Sequence, residues 1–219
     1  MHSHNNELGK AEAEFVEALK IRQNLVKPNP EVFLPVVAQT LNNLAILHKN
    51  KKELKKAEAE FVEALKIRRN LAKSNPDVFL PKVARTLNNL ANLHKETTKL
   101  GKAEVEFVEA LKIQWDLAKS NPGVYLPEVA TTLKNLAILH KNKNELDKAE
   151  GEFREALRIR RILAKSNPGV YLPEVATTLK NLAILHKNKN ELEKAKEEFR
   201  EAQEIRRILA KSNSALNRE

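Results

Sequence analysis

The chain repeats itself every 46 residues, and this period constrains its fold more than any other feature. The stretch ELKKAEAEFVEALKIRRNLAKSNP, beginning at Glu53, recurs from Lys99, Glu145 and Glu191, and an earlier copy begins at Glu7. No insertion or deletion separates the copies. The segment from Lys119 to Leu146 is reproduced letter for letter from Lys165 to Leu192. A period of this length implies one supersecondary unit per repeat, which cannot bury its apolar face alone and stacks on its neighbours to do so.

Two helices fit into each period. In the first type, Val37, Leu41, Leu44 and His48 fall on one helical stripe. It is expected to open at a proline (Pro35, Pro81, Pro127, Pro173), a residue suited to the first helical turn, and to end in a polar turn such as Lys49-Asn50-Lys51-Lys52. The second type carries Ala57, Phe61, Ala64, Ile67 and Leu71 on one face. It should end at Asn-Pro (Asn75-Pro76, Asn121-Pro122, Asn167-Pro168), because proline disfavours helical geometry in the residue before it. Ala45, Ala57 and Ala64 let neighbouring helices approach closely, and Phe61 fills the gap between them.

The expected organisation is all-α with about nine helices. Residues 1–6 read as a disordered tail and 7–212 as a single solenoid, followed by a tail at 213–219. The solenoid begins with an unpaired helix at 7–27, and repeats follow at about 31–73, 77–119, 123–165 and 169–211. The unpaired first helix should expose Phe15 and neighbouring apolar groups. The last helix reads as a solvated cap, with Lys196, Glu197 and Gln203 where the preceding copy has Glu150, Gly151 and Leu157.

The net charge is +10, but 29 acidic residues are interspersed among 39 basic ones, so no block of like charge resembles a nucleic-acid arm. With no cysteine there is neither a disulfide framework nor a thiolate metal site. The N-terminus has no apolar core of the signal-peptide kind, and no apolar run approaches a membrane span. A cytoplasmic location is the expectation.

The columns Leu41, Leu44, Ala45, His48, Ala57, Phe61 and Ala64 recur as Leu87, Leu90, Ala91, His94, Ala103, Phe107 and Ala110, and then twice more. This pattern resembles the tetratricopeptide repeat. The phrases TLNNLA and EALKIRR, with a long second helix, look most like the kinesin light chain branch and its prokaryotic relatives. The resemblance implies a right-handed α-solenoid of antiparallel helix hairpins, a superhelix that binds proteins rather than catalysing reactions. Two departures stand out. His replaces the usual aromatic, and Arg69 stands where a proline usually closes the second helix, so that helix should run on.

Catalytic and cofactor motifs are not found: there is no Gly-rich phosphate loop, nucleophile elbow or Ser-His-Asp pattern. His48, His94, His140 and His186 occur once per repeat, which spaces them along the stack instead of clustering them as zinc would require. They read as core-facing rings, and no metal site is expected. Glu58, Glu60 and Glu63 read as members of ordinary surface ion pairs. Trp115 stands in a column otherwise held by Gln23, Arg69, Arg161 and Arg207, so partial exposure is expected.

The family resemblance assigns the first helix of each hairpin to the concave face. Asn43, Asn89, Asn135 and Asn181 form a column there, resembling the asparagine ladder of O-linked N-acetylglucosamine transferase, which holds a peptide backbone. A carboxamide offers one donor group and one acceptor, matching a peptide unit. The same asparagines could instead satisfy backbone groups between helices, and both readings stand at this point. Asn42, Asn88, Lys134 and Lys180 lie one position earlier. Asn92 and Ile138 lie further along, with Ile46 and Ile184, and Lys141 belongs to a lysine row with Lys49, Lys95 and Lys187. Such a groove is polar and basic and suits an extended acidic peptide. Asn92 and Asn135 match two places of the chaperone-tail clamp, but Asn88, Thr177 and Asn181 occupy places that should be basic, so capture of such a tail is not expected. Two alternatives come from other classes. One is a nucleic-acid-binding repeat, against which the absence of aromatic stacking platforms argues. The other is a homodimer formed through the open N-terminal helix. Neither a small-molecule substrate nor a membrane is expected as a partner.

Overall fold

In the computed structural model, residues 2–216 are described, with side chains for 9–211. Among the described residues there are nine α-helices and no strand: α1 (His2–Val26), α2 (Pro30–Asn50), α3 (Leu54–Ser74), α4 (Pro76–Glu96), α5 (Leu100–Ser120), α6 (Pro122–Asn142), α7 (Leu146–Ser166), α8 (Pro168–Asn188) and α9 (Leu192–Leu216). The chain divides into two compact units, Met1–Ile113 and Gln114–Glu219. In a repeat array each element touches only its neighbours, so a long stack offers such divisions. In the first unit α1 packs on α2, α2 on α3 and α3 on α4. In the second α6 packs on α7, α7 on α8 and α8 on α9.

One junction ends a second-type helix and starts the next first-type helix. Asn75 is extended (φ −142°, ψ 79°), its own N–H donates back to the Leu71 carbonyl, and its carbonyl accepts from Phe79 N–H. Pro76 then takes the first helical position, where its missing N–H is not needed. The expected starts at Pro35, Pro81, Pro127 and Pro173 are therefore corrected: these prolines lie inside α2, α4, α6 and α8. Each deprives only a first-turn carbonyl of its donor. The residues carrying those carbonyls, Glu31, Asp77, Gly123 and Gly169, are exposed, so water can replace the missing bond.

The hairpin turn inside each repeat is closed by a Schellman motif. Glu53 N–H donates to the His48 carbonyl at 2.8 Å and Lys52 N–H to the Lys49 carbonyl at 3.0 Å. Lys52, Thr98, Asn144 and Asn190 supply the left-handed residue, with φ near 60°. Asn tolerates this region, whereas β-branched Thr98 is the strained member.

At both ends the helices run beyond the expected boundaries. α1 already includes 2–6, read above as tail, because no proline or turn signal interrupts the stretch before Glu7. α9 continues to Leu216 because Asn213 is followed by Ser, not Pro, and the stop that works at Asn75 is missing. Met1 and 217–219 of the expected tails lie outside the described residues.

The cores follow the repeat. Phe61, Phe107 and Phe153 are fully buried, as are Ala57, Ala103, Ala149, Ala64, Ala110 and Ala156. Phe61 packs with Ala45, Leu65, Val83, Leu87 and Leu90. Phe153 packs with Val175, Leu179 and Leu182. Phe15, the equivalent on α1, is only half-buried, and Val16 and Ile21 are exposed. On α9, Lys196, Glu197 and Gln203 are exposed, as expected of a cap.

Candidate functional site

Two polar columns run through the repeats, one buried and one facing solvent. The buried one was legible only in part. His48, His94, His140 and His186 are all buried, as expected of a core column. Each also meets carboxylates. His48 Nδ1 lies 2.7 Å from Glu60 on the same hairpin, and Nε2 lies 3.1 Å from Glu12 on the preceding second-type helix. His94 repeats this with Glu106 at 2.8 Å and Glu58 at 3.0 Å, and His186 with Glu198 at 2.7 Å and Glu150 at 3.3 Å. His140 Nδ1 is 2.8 Å from Glu152. An imidazole with a carboxylate at each nitrogen donates from both when protonated, so the ring ties successive helices together. The reading of Glu58 and Glu60 as surface ion-pair residues is corrected: both are half-buried and hydrogen-bond to histidine, whereas Glu63 is exposed.

Cations complete these bridges. Glu12 also accepts from Lys51, and Glu150 from Lys189. The second repeat has Thr97 where the others carry lysine, and Lys99, two residues on, supplies the missing charge to Glu58 at 2.5 Å. Glu12, His48 and Glu53 could in principle ligate a metal ion, since their ligand atoms lie within 4.8 Å of one another. Their carboxylate oxygens already pair with Lys51 and Lys56, which makes the group an ion-pair cluster.

The bridges titrate in opposite senses. Burial opposes charging of His48, but hydrogen bonds to Glu60 and Glu12 prevail and raise its pKa. This stabilisation is full below about 6.5 and is lost as pH rises through the raised value. Burial also works against ionised Glu150, yet hydrogen bonds from Lys189, His186 and Arg154 hold its pKa down at about 2, so its contribution is lost as pH falls from about 4.5 towards 2. Burial raises Glu60, Glu106 and Glu198 above the ordinary value, which favours the folded state as pH drops through their raised values. Stability is therefore expected to peak between about pH 4.5 and 6.5 and to decline on both sides. Urea unfolding from pH 2 to 9 measures this, and Glu150→Gln should flatten the acid limb. Stability still rising below pH 3 would contradict it.

The second column is the one singled out from the sequence. Asn43, Asn89, Asn135 and Asn181 are all half-buried. Asn43 accepts from Gln39 Nε2 at 2.8 Å, and Asn89 Nδ2 reaches Asn42 Oδ1 only at 3.5 Å. Among the described residues the side chains of Asn135 and Asn181 have no hydrogen-bond partner within the chain, while remaining partly accessible. Lys180 is exposed, and Lys134 and Lys141 are half-buried. Burial, with Arg160 nearby, lowers the Lys134 pKa.

Other expected members of the groove are engaged elsewhere. Asn42 is 2% exposed and accepts from Arg68 at 3.3 Å, which removes it from a solvent-facing site. Asn88 and Asn92 turn back onto their own helix, donating to the Ala84 and Asn88 carbonyls. Ile138 packs on the core of the second unit. Trp115 is half-buried, whereas Gln23, Arg69, Arg161 and Arg207 of its column are exposed. Arg154, Leu157, Arg158, Arg161, Ile162 and Lys165 line a basic cleft of about 450 Å³ along the second-type helix α7.

Tetratricopeptide-repeat family models match residues 37–77 and 129–168, and a second such model matches 177–208, together more than half of the chain. The chain belongs to the tetratricopeptide repeat family. Solved structures resemble this tetratricopeptide repeat protein in fold. BtubC (BKLC) from P. vanneervenii is 20% identical with a TM-score of 0.56, over 93% of this chain and 92% of that one. A kinesin light chain-type protein of P. anserina with nearly identical TPR-like repeats is 15% identical with a TM-score of 0.63, over 94% of each chain. The apo form of RapI is 17% identical with a TM-score of 0.71, over 92% of this chain and 49% of RapI. At these identities the likeness establishes the α-solenoid fold class and nothing finer. No curated protein sequence matches the chain. No helix among the described residues is long and apolar enough to cross a membrane.

Proposed function

We propose that this tetratricopeptide repeat protein is a non-enzymatic interaction scaffold that holds an extended acidic peptide segment of a partner protein along its first-type helices. The observation that carries this reading is the pair Asn135 and Asn181, partly accessible carboxamides without a side-chain hydrogen-bond partner among the described residues. They stand beside Lys134 and Lys180, and an unused amide next to a cation suits a peptide unit followed by an acidic side chain. Asn43 and Asn89 are the corresponding pair in the first unit, and Asn89 reaches Asn42 at 3.5 Å. The self-associating alternative rests on exposed Val16 and Ile21 of α1.

Changing Asn89, Asn135 and Asn181 together to Ala should weaken binding to arrayed acidic peptides by about tenfold to a thousandfold, because three net hydrogen bonds of about 0.5–1.5 kcal/mol each are lost. Circular dichroism should show unchanged helicity, since none of the three is part of a core. Unchanged peptide affinity in the folded triple variant would sink the ladder. Affinity for nucleic acid that falls steeply with salt would favour the charge-driven alternative.

A further inference from the structure

Arg22 on α1 is half-buried and donates to Thr40. On the next three second-type helices one long polar side chain is buried against the first-type helix that follows: Arg68 on α3, Gln114 on α5 and Arg160 on α7. All three are buried and reach the same threonine column: Arg68 meets Thr86, Gln114 meets Thr132 and Arg160 meets Thr178. What compensates the charge differs between repeats. In the second unit, Arg160 Nη2 lies 2.8 Å from Glu174. In the first unit the position equivalent to Glu174 is Lys82, whose ammonium lies over the Phe79 ring and whose backbone carbonyl accepts from Arg68, so no carboxylate comes from that position.

Arg68 is 1% exposed, and among the described residues its hydrogen bonds go only to neutral oxygens. These are Thr86 at 2.5 Å, Asn42 and the Lys82 carbonyl at 3.3 Å, and Gln39 Oε1 at 3.0 Å. Arg85 reaches the same Gln39 oxygen at 3.4 Å. One neutral oxygen thus sits between two guanidinium groups, with Lys82 on the next turn. A buried cation without a counter-charge is costly, and a carboxylate at that point relieves it through paired, charge-assisted bonds. Burial and the neighbouring Arg85 also push the Arg68 pKa down to about 10.

We infer that the first unit carries a binding site for a single carboxylate side chain of the bound peptide, held between Arg68 and Arg85, where Gln39 now stands, one turn along α4 from Lys82. Gln39 is half-buried, so its side chain is partly open to solvent, and the incoming carboxylate takes over its bonds to the two guanidinium groups. Because Gln39 also donates to Asn43, and Asn42 also accepts from Asn89, the site joins two ladder asparagines. It rests on the peptide-binding reading above and adds to it which unit selects the acidic residue. In the second unit Glu174 already fills the corresponding place, and Thr177 replaces Arg85.

The test supplies the carboxylate from within. Lys82→Glu copies the residue that the later repeats carry as Glu128 and Glu174, so the fold accepts it at this register. Binding of fluorescein-labelled octaglutamate and octaglutamine to the full chain is measured by anisotropy. A charge-matched control, Lys66→Glu, changes an exposed residue on the second-type helix α3. The wild type should prefer octaglutamate, and Lys82→Glu should lose at least about tenfold of that affinity, with Lys66→Glu changing it little. Equal losses in the two variants would reduce the effect to net charge and overturn the site. Equal binding of both peptides, untouched by Lys82→Glu but lost in the triple asparagine variant, would overturn the site and leave the ladder standing. Binding lost in Lys82→Glu yet untouched by the triple variant would uphold the site and remove the ladder.

Discussion

Replacing His94 by phenylalanine, an aromatic of the kind the family usually carries in that column, is expected to destabilise the protein by about 2–3 kcal/mol at pH 7. The ring would still fill the space, so packing is not the reason. Glu106 would lose its hydrogen-bond donor while remaining half-buried, and burial already raises its pKa. Glu58 would fare better because it keeps Lys99. The loss should therefore shrink at pH 4, where Glu106 takes up a proton and no charge remains to be solvated. Adding Glu106→Gln to the phenylalanine variant should recover part of the loss at pH 7 and almost none at pH 4. Urea unfolding of the two variants at both pH values measures this. A phenylalanine variant as stable as the parent at pH 7 would show that the histidine bridges contribute nothing beyond filling space.

Phe61→Ala is expected to cost more, about 3–5 kcal/mol. Phe61 is fully buried against small neighbours, Ala45 and Ala57 among them, together with Leu65, Leu87 and Leu90. These residues lie on helices whose backbones pack closely, so they cannot move in to close the hole, and the cavity persists. The equivalent change at Phe15, which is only half-buried, should cost much less. Comparing the two unfolding midpoints separates cavity formation from a general effect of losing a phenylalanine. Equal losses at the two positions would contradict the packing described for the first unit.

The fold was legible because its signals are local and recur. The apolar stripe through Leu41 and Leu44, the Asn-Pro junctions and the alanine columns act within a few residues of themselves, and each recurs at least four times. The misplaced helix starts show the limit of such reading. Pro30 and Pro35 both suit an N-terminal turn, and only the solvent exposure of Glu31 shows that the second can sit inside α2. The histidine bridges did leave a trace in the sequence. Glu60, Glu106, Glu152 and Glu198 follow their histidines at a constant spacing, and Glu12, Glu58, Glu104 and Glu150 recur just as regularly. Solvated ion pairs recur with the same regularity, so spacing alone does not show that these carboxylates are buried against histidine.

The sequence by itself determined the helices, their pairing into hairpins, the repeat family and the column of asparagines. Only the tertiary structure decided which polar groups are buried and what neutralises them. It showed that Asn42 is buried against Arg68, and that among the described residues Asn135 and Asn181 keep unused amides. It also showed that Arg160 meets a carboxylate where Arg68 meets the neutral oxygen of Gln39. The physical reason is distance along the chain. Apolar burial is set by a period of a few residues, whereas these charges meet partners many residues away on other helices, where burial alone decides how strongly each pairing acts.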